Sequence, residues 1–409
     1  MAKRGKLCAA LLALGLVFSG CGTGSATPDG WSSAIGQASP PAAPAAPSSA
    51  PAMPSLQKPS PTPSPTPKPT PSPEQRLLES MTLEEKVGQL FFVRCPEEDG
   101  AAMIAQYQPG GVLLFGRDFA GRTREAVVGM IADYRAQAKY GLLIGVDEEG
   151  GDVVRVSDQA ALAEAPYPAP RALYAEGGVS LLCQTEAEKC RLLASLGINV
   201  NFAPVCDISD DPAAFMYSRS LGLSPAETAA VIDGMVRVCE TENMGTVLKH
   251  FPGYGNAADS HAGIVYDDRA YTAFEGGAFL PFESGMRAGA DCVLVAHNIV
   301  PCVDGERPAS LSADWHDILR GTLGFSGVIL TDDLSMGGVT DYANAEAAAV
   351  EAVLAGNDML CCTDYKAQIP AVLRAVENGT IEESRIDESV LRILRWKLER
   401  GLLEKISDG

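Results

Sequence analysis

The chain has 409 residues, in which 52 acidic residues outnumber 32 Lys and Arg and give a formal charge of −20. This charge argues against a nucleic-acid-binding protein, because neutralising phosphates needs clustered cations. A hydrophobic fraction of 46% and a charged fraction of 21% indicate a chain that buries a core, and they exclude a collagen-like or wholly disordered protein. The prolines divide the chain into two unlike parts, because 14 of the 28 lie between Pro40 and Pro73.

Residues 1–20 are typical of a secretory signal peptide. Three basic residues (Lys3, Arg4 and Lys6) precede an apolar run, Leu7–Gly20, which is too short to cross a bilayer of about 30 Å as a helix. The small residues before Cys21 resemble a lipobox, in which that thiol is lipidated; ordinary secretion with an incidental Cys21 is the alternative. We therefore expect an extracytoplasmic protein that contacts the cell membrane only through an N-terminal lipid anchor.

Residues 21–73 are mainly Pro, Ala, Ser and Thr and are predicted to form a disordered linker. Polyproline II rises about 3.1 Å per residue, so the segment from Pro40 to Pro73 has a reach on the order of 100 Å. Recognition of its PxxP repeats by an SH3-type domain is the alternative, which an extracytoplasmic location disfavours. The linker is expected to hold the folded domain away from a membrane.

Residues 74–405 carry the pattern of a folded domain. Thr82–Lys86 has the residues of a capping box that begins a helix. Eight short apolar runs rich in β-branched residues follow: Gln89–Cys95, Gly111–Gly116, Leu142–Val146, Ile198–Val205, Gly245–Lys249, Asp291–Ala296, Gly327–Thr331 and Asp358–Cys362. Three of the intervening stretches have clear helical spacing: Arg124–Lys139, Pro225–Glu240 and Ala345–Ala355.

Strands that are apolar throughout suit a parallel sheet that is covered on both faces. Eight strands separated by helical stretches predict an α/β fold of the (β/α)8 TIM-barrel type, formed by residues 74–405 as one domain. A doubly wound open sheet is the alternative. No G-x-G-x-x-G motif follows the first strand to favour a dinucleotide site in such a sheet.

Nine cysteines remain after Cys8 in the signal and Cys21. An odd number spread over a large domain is not the pattern of a disulfide scaffold. No C-x-x-C pair occurs with a second pair of ligands, so a structural zinc site is not expected. We expect most of these cysteines to be small core residues.

Ionisable residues follow four of the predicted strands. Asp147, the pair Lys249 and His250, His297, and the pair Asp332 and Asp333 each stand where a strand ends. Catalytic groups in this fold lie at the carboxyl ends of the strands. These side chains are therefore expected to meet at one rim of the barrel.

Two features at this rim suggest acid–base and nucleophilic chemistry. Asp259 precedes His261 by two residues in a loop with Pro and Gly, and a carboxylate partner raises the pKa of an imidazole, which can then exchange a proton near neutrality. A carboxylate of Asp332 or Asp333 at the barrel mouth can act as a nucleophile or a base. The other interpretation of this Asp pair is a helix N-cap, and spacing alone does not choose between the two residues.

Several segments resemble glycoside hydrolase family 3, in its single-domain β-N-acetylhexosaminidase branch. The resemblance rests on K-H-F-P-G-x-G…D-S-H at Lys249–His261 and on G-F-S-G-V-I-L-T-D-D-L-S-M at Gly324–Met336, and it spans about residues 75–405. Further matches lie at 146–155, 199–205 and 218–222. Tyr254 departs from the family, which usually has His at that place, and we expect altered loop packing with activity retained.

The resemblance implies a role for each matching residue. Asp332 would be the catalytic nucleophile, His261 the acid/base and Asp259 its dyad partner. The terminal sugar would be bound by Asp147, Arg155, Arg219, Lys249 and His250. No metal or organic cofactor is expected.

The implied function is a retaining exo-β-N-acetylglucosaminidase that acts on a GlcNAc-containing saccharide, either peptidoglycan fragments or chitooligosaccharides. A β-N-acetylglucosaminide phosphorylase and a β-glucosidase of the same fold are alternatives. A catalytically inactive sugar-binding lipoprotein is the alternative from another class. The sequence leaves the aglycone and the oligomeric state open.

Overall fold

The computed structural model describes residues 71–403. The predicted signal peptide, Cys21 and the linker up to residue 70 lie outside the described residues. The first described helix, α1, is Pro73–Glu79, and Ser72 caps it.

Eight parallel strands form one sheet: β1 (Phe91–Arg94), β2 (Gly111–Leu114), β3 (Leu143–Val146), β4 (Val200–Asn201), β5 (Gly245–Phe251), β6 (Cys292–Val295), β9 (Val328–Thr331) and β10 (Leu360–Cys362). Their order is β10-β1-β2-β3-β4-β5-β6-β9. A parallel bridge between Leu330 and Met359 joins β9 to β10 at the two ends of this order. The sheet therefore closes on itself, which confirms the predicted TIM barrel.

Fourteen α-helices lie in residues 71–403. After α1 they are α2 (Leu83–Gln89), α3 (Gly100–Tyr107), α4 (Gly116–Phe119), α5 (Arg124–Gln137), α6 (Pro170–Leu196), α7 (Pro225–Thr241), α8 (Tyr271–Ala273), α9 (Phe279–Ala288), α10 (Ala313–Asp317), α11 (Gly337–Thr340), α12 (Ala345–Ala355), α13 (Tyr365–Glu377) and α14 (Glu383–Glu399). The predicted capping box begins α2, where Thr82 Oγ1 accepts from Glu85 N and Glu85 Oε2 accepts from Thr82 N. The three predicted helices correspond to α5, α7 and α12, each within two residues of its predicted ends. No helix of the described range has the length and apolar character needed to cross a membrane.

The fourth strand was predicted too long. Ile198–Val205 pairs regularly only at Val200 and Asn201, because Pro204 has no amide hydrogen to give and the side chain of Asn201 binds the backbone of Glu148. The fifth strand was predicted too short and continues to Phe251. An antiparallel hairpin of β7 (Ile299–Val300) and β8 (Asp304–Pro308), between β6 and β9 in the chain, was not predicted.

The barrel interior is filled by side chains that alternate along the strands. Phe92 of β1 meets Phe202 edge to face, with ring centroids 5.0 Å apart. Larger apolar clusters lie between the strands and the helices. Seven of the nine described cysteines are buried and none is in a disulfide, which agrees with the expected core role.

Candidate active site

A cavity of about 600 Å³ opens at the carboxyl ends of the strands. All eight residues that the sequence assigned to catalysis or sugar binding line it. A cavity of about 850 Å³ lies elsewhere, around Asp291 and Arg400, and contains none of those eight residues. The cavity therefore lies where the rule that barrel chemistry occupies the strand ends predicts a site.

Four charged side chains form a connected cluster on one side of the cavity. Lys249 Nζ lies 2.7 Å from Asp147 Oδ1 and 2.7 Å from Glu149 Oε1. Arg219 donates from Nε and Nη2 to the two oxygens of Glu149, at 2.9 and 2.7 Å. Two cations and two carboxylates balance, so the cluster of Asp147, Glu149, Arg219 and Lys249 is neutral as a whole.

The cluster controls the ionisation of its buried members. Burial alone would raise the pKa of Glu149, but the charges of Lys249 and Arg219 hold it far below its usual range. Burial likewise opposes the charge of Lys249, yet Asp147 and Glu149 raise the pKa of its ammonium above the usual value. Glu149 and Lys249 therefore carry their charges at neutral pH.

His250 is oriented by a buried carboxylate that belongs to none of the predicted site residues. His250 Nδ1 lies 2.7 Å from Asp207 Oδ2, and His250 Nε2 lies 3.1 Å from Arg219 Nη2. Because the carboxylate accepts, Nδ1 carries the hydrogen and Nε2 presents its lone pair to the guanidinium. Asp207 thus fixes both the tautomer and the plane of this ring.

The two aspartates after β9 have different surroundings. Asp333 accepts from Ser335 N at 2.9 Å and from the hydroxyl of Thr363 at 2.6 Å, so its carboxylate stabilises a turn. Asp332 accepts from Asp333 N at 2.8 Å. Burial raises the pKa of Asp332, but the neighbouring imidazoles of His297 and His250 and this backbone N–H lower it further than burial raises it.

Asp259 and His261 form the predicted dyad. His261 Nδ1 lies 2.6 Å from Asp259 Oδ1, and the backbone N of His261 donates to the same oxygen at 2.9 Å. The side chain of His261 is 58% exposed and that of Asp259 is 39% exposed. The carboxylate holds Nδ1–H, which leaves Nε2 free to exchange a proton with a group in the cavity.

On the side of the cavity at the ends of β1 and β2, the guanidinium groups of two arginines lie near the ring of Phe115. The guanidinium of Arg94 lies 4.1 Å from the centroid of Phe115, and that of Arg155 lies 5.9 Å from it. Arg94 makes no ion pair with any residue of the described range. Arg94 extends from β1 in the same direction as Phe92, which places its guanidinium at the barrel mouth.

The other two histidines have structural surroundings. His297 is buried, with Nδ1 2.7 Å from Ser310 Oγ and Nε2 3.0 Å from the carbonyl oxygen of Asp333. Burial lowers the pKa of His297, and the ring contacts the turn under the aspartates. His316 is also buried, and its Nδ1 lies 2.7 Å from the carbonyl oxygen of Ser312. His297 therefore stands at a strand end without joining the cavity.

One group in the described range has the spacing of a metal site. Glu186, Cys190 and Cys239 place their ligand atoms within 4.8 Å of one another, between α6 and α7. Glu186 is already paired with the ammonium of Lys189 at 2.9 Å, and none of the group lines the active-site cavity. No C-x-x-C pattern marks this group in the sequence, because its members come from two helices.

Glu149 and Asp207 were not predicted from the sequence. Both stand shortly after predicted strands, at the positions where the fold places functional groups. Glu149 follows Asp147 by two residues, and Asp207 follows Val205 by two. Their positions relative to the strand ends were a signal that could have identified them. Only the folded structure shows that Glu149 pairs with Arg219 and Lys249 and that Asp207 binds His250.

Comparison with known proteins identifies relatives of the whole barrel. The family model described as "Glycosyl hydrolase family 3 N terminal domain" matches residues 82–396. A protein named Beta-hexosaminidase from Xanthomonas campestris pv. campestris (strain B100) is 38% identical over 232 residues, which are 55% of this chain and 68% of that protein. One of the same name from Xylella fastidiosa (strain M23) is 37% identical over 235 residues, 56% of this chain and 68% of that protein.

Solved structures give the same result. A glycoside hydrolase family 3 β-N-acetylglucosaminidase from Paenibacillus sp. str. FPU-7 superposes with a TM-score of 0.73 at 32% identity over 81% of this chain. This chain spans 65% of that protein's length. A family 3 glycosyl hydrolase from Mycobacterium smegmatis str. MC2 155 superposes with a TM-score of 0.70 at 29% identity, over 78% of this chain and 98% of that one.

Proposed function

Because the chain belongs to glycosyl hydrolase family 3, we propose that it is a retaining exo-β-N-acetylglucosaminidase. It removes terminal β-linked GlcNAc from peptidoglycan fragments or chitooligosaccharides. The observation that carries this proposal is the meeting, in one cavity, of the Asp332 carboxylate at a strand end and an imidazole paired with a carboxylate. The names of the relatives, β-hexosaminidase and β-N-acetylglucosaminidase, support the choice of sugar.

The proposed reaction has two displacements. Asp332 attacks the anomeric carbon through a carboxylate oxygen, while His261 gives its Nε2 proton to the leaving glycosidic oxygen. Nε2 then takes a proton from water, and the resulting oxygen nucleophile attacks the anomeric carbon and releases Asp332. The lowered pKa of Asp332 favours the ionised form that the first step requires.

Asp259 supports both steps through His261 Nδ1. Its carboxylate accepts a hydrogen bond from Nδ1–H and stabilises the imidazolium that donates the first proton. Asp333 is excluded from the nucleophile's role in this proposal because its two oxygens already hold a turn and a hydroxyl.

The charged cluster is proposed to bind the terminal sugar. Asp147 accepts from sugar hydroxyls, while Lys249 and Arg219 donate to sugar oxygens from positions that their ion pairs already fix. Arg155 donates from the wall at Phe115. His250, with its tautomer set by Asp207, completes the site.

Turnover of an aryl β-GlcNAc substrate, compared with the matching β-glucoside at equal concentration, tests the proposal. The wild type is expected to prefer the GlcNAc substrate, and Asp332→Asn is expected to lower kcat by about 10³-fold or more with the fold retained. Preference for the glucoside would refute the choice of sugar. Undiminished turnover by the variant would refute the mechanism. Release of GlcNAc 1-phosphate in phosphate buffer would assign the protein to the phosphorylases.

The location is also part of the proposal. The N-terminal sequence supports an enzyme anchored outside the membrane through a lipid on Cys21. Fractionation of producing cells tests it, with Cys21→Ser expected to move the activity from the membrane to the soluble extracytoplasmic fraction. An unchanged membrane fraction for this variant would refute lipidation at Cys21.

A further inference from the structure

Tyr254 is a buried residue, 1% exposed, in the loop that carries the dyad. Its hydroxyl lies 2.5 Å from the hydroxyl of Ser260, which is also buried. Ser260 stands between Asp259 and His261 in the chain. A contact to Ser260 therefore acts on both members of the dyad at once.

The other side of Tyr254 is fixed to the sugar-binding half of the cavity. Its backbone N donates to Asp207 Oδ1 at 2.7 Å, while Asp207 Oδ2 holds His250. The Tyr254 ring meets the His250 ring edge to face, with centroids 5.5 Å apart, and lies 5.7 Å from the ring of Phe215. Tyr254 thus connects a fixed group of buried residues to the dyad loop.

The dyad loop has few other attachments. The side chains of Asp259 and His261 are 39% and 58% exposed, and the His261 ring meets the ring of Phe215 at a centroid distance of 6.0 Å. The backbone carbonyls of Ser260 and His261 accept from Gly338 N at 2.9 Å and Gly337 N at 3.2 Å. These two bonds fix the loop backbone on one side, and the Tyr254 hydroxyl fixes it on the other.

We propose that Tyr254 is a positioning residue that holds Ser260 and thereby aims His261 Nε2 at the leaving-group oxygen. This inference rests on the proposed function. It predicts a loss of acid assistance and not a general loss of activity when the hydroxyl is removed, because the sugar-binding cluster and Asp332 do not depend on that hydroxyl. The residue acts through Ser260 and does not itself touch the reacting atoms.

Dependence on the leaving group tests the inference. A 2,4-dinitrophenolate leaves without a proton, whereas the sugar alcohol released from chitobiose needs one. For Tyr254→Phe, kcat/KM on chitobiose is expected to fall about tenfold, and kcat/KM on 2,4-dinitrophenyl β-GlcNAc is expected to stay within about twofold. Ser260→Ala is expected to give the same split, and the double variant should lose little more than either single one.

Tyr140→Phe is the matched control. It removes a tyrosine hydroxyl that donates to Glu85 at 2.8 Å, next to the start of β3 and at the other end of the barrel. The kcat/KM of this variant should equal that of the wild type on both substrates.

Three outcomes would overturn the inference. The first is an equal fall in kcat/KM of Tyr254→Phe on both substrates, and the second is no fall in kcat/KM on either. The third is a loss in the double variant that equals the sum of the two single losses, expressed as free energies. A wild type that hydrolyses neither substrate would instead refute the proposed function, so the two failures are distinguishable. Thermal unfolding of each variant shows whether an equal fall comes from a damaged fold.

Discussion

The charged cluster makes a quantitative prediction for Glu149→Gln. Glu149 is 2% exposed in its side chain and receives three hydrogen bonds or ion contacts from Arg219 and Lys249. Glutamine keeps the shape but removes the charge and places an amide NH2 against a cation. The cluster then has two cations and one carboxylate, so one buried positive charge is left without compensation.

The size of the effect follows from this imbalance. Breaking a buried ion pair by removing one partner costs about 3–5 kcal/mol. A domain of about 330 residues unfolds with an entropy near 0.7 kcal/mol per kelvin, from about 2.1 cal/mol per kelvin and residue. The expected fall in Tm at pH 7 is therefore about 4–7 °C.

The pH dependence of the difference gives a second check. The folded-state pKa of Glu149 lies below its ordinary value of 4.5, so its stabilising contribution is fully present above that value and is lost as the pH falls through the folded-state pKa. The Tm gap between the wild type and Glu149→Gln is thus expected to be largest near neutrality and to narrow below about pH 4.5.

Thermal unfolding followed by circular dichroism between pH 3 and 7 measures both quantities. Glu346→Gln is the matched control, because Glu346 pairs with Arg374 at 2.7 Å with both side chains more than half exposed. Such a surface pair is worth about 0–1 kcal/mol, so its Tm should change by less than about 1.5 °C. Two results would show that the buried cluster does not stabilise the fold in this way. One is a fall in Tm for Glu149→Gln that is no larger than that of the control, and the other is a Tm difference from the wild type that widens as the pH is lowered.

Two further predictions concern the loops around the cavity. Asp333→Ala removes the acceptor of a turn N–H and of the Thr363 hydroxyl, so the folded state should lose about 1–3 kcal/mol of stability. Unlike Asp332→Asn, this variant should keep measurable turnover. Complete loss of activity in a folded Asp333→Ala variant would contradict the roles assigned to the two aspartates. Gly337→Ala places a Cβ within 3 Å of the backbone of the dyad loop and should lower kcat/KM about tenfold with little change in Tm. Gly129→Ala, where an added Cβ meets nothing within 4 Å, should leave kcat/KM unchanged, and equal activities of these two alanine variants would show that the dyad loop tolerates displacement.

Most of the barrel could be predicted because its strands are buried on both faces. A run such as Leu142–Val146 has no polar side chain, and this pattern indicates a buried strand without any knowledge of the elements that pack against it. Ile198–Val205 is less uniform because it contains Asn199 and Asn201, and Pro204 together with the polar side chain of Asn201 ends its regular pairing early. The β7–β8 hairpin could not be predicted, since β7 has two residues and the three central residues of β8 are exposed and polar or glycine.

The candidate site was predictable where a motif placed two groups close in the chain. Asp259 and His261 are two residues apart, and the structure places them in contact. Glu149 and Arg219 are 70 residues apart and Asp207 and His250 are 43 apart, so only the closed barrel brings each pair together. Spacing alone did not choose between Asp332 and Asp333, and the choice of Asp332 came from the family resemblance; the turn and the Thr363 hydroxyl that occupy Asp333 support it.

The two sides of the cavity differ in how freely their residues can change during evolution. Lys249 binds both Asp147 and Glu149, so a substitution at any one of them disturbs the charge balance of the others. Arg94 rests on the Phe115 ring and has no ion-pair partner in the described range, so its replacement leaves no buried charge behind. Arg94 can therefore be replaced by a single mutation without disturbing another charge, whereas the charged cluster keeps its balance only when a second residue of the cluster changes as well.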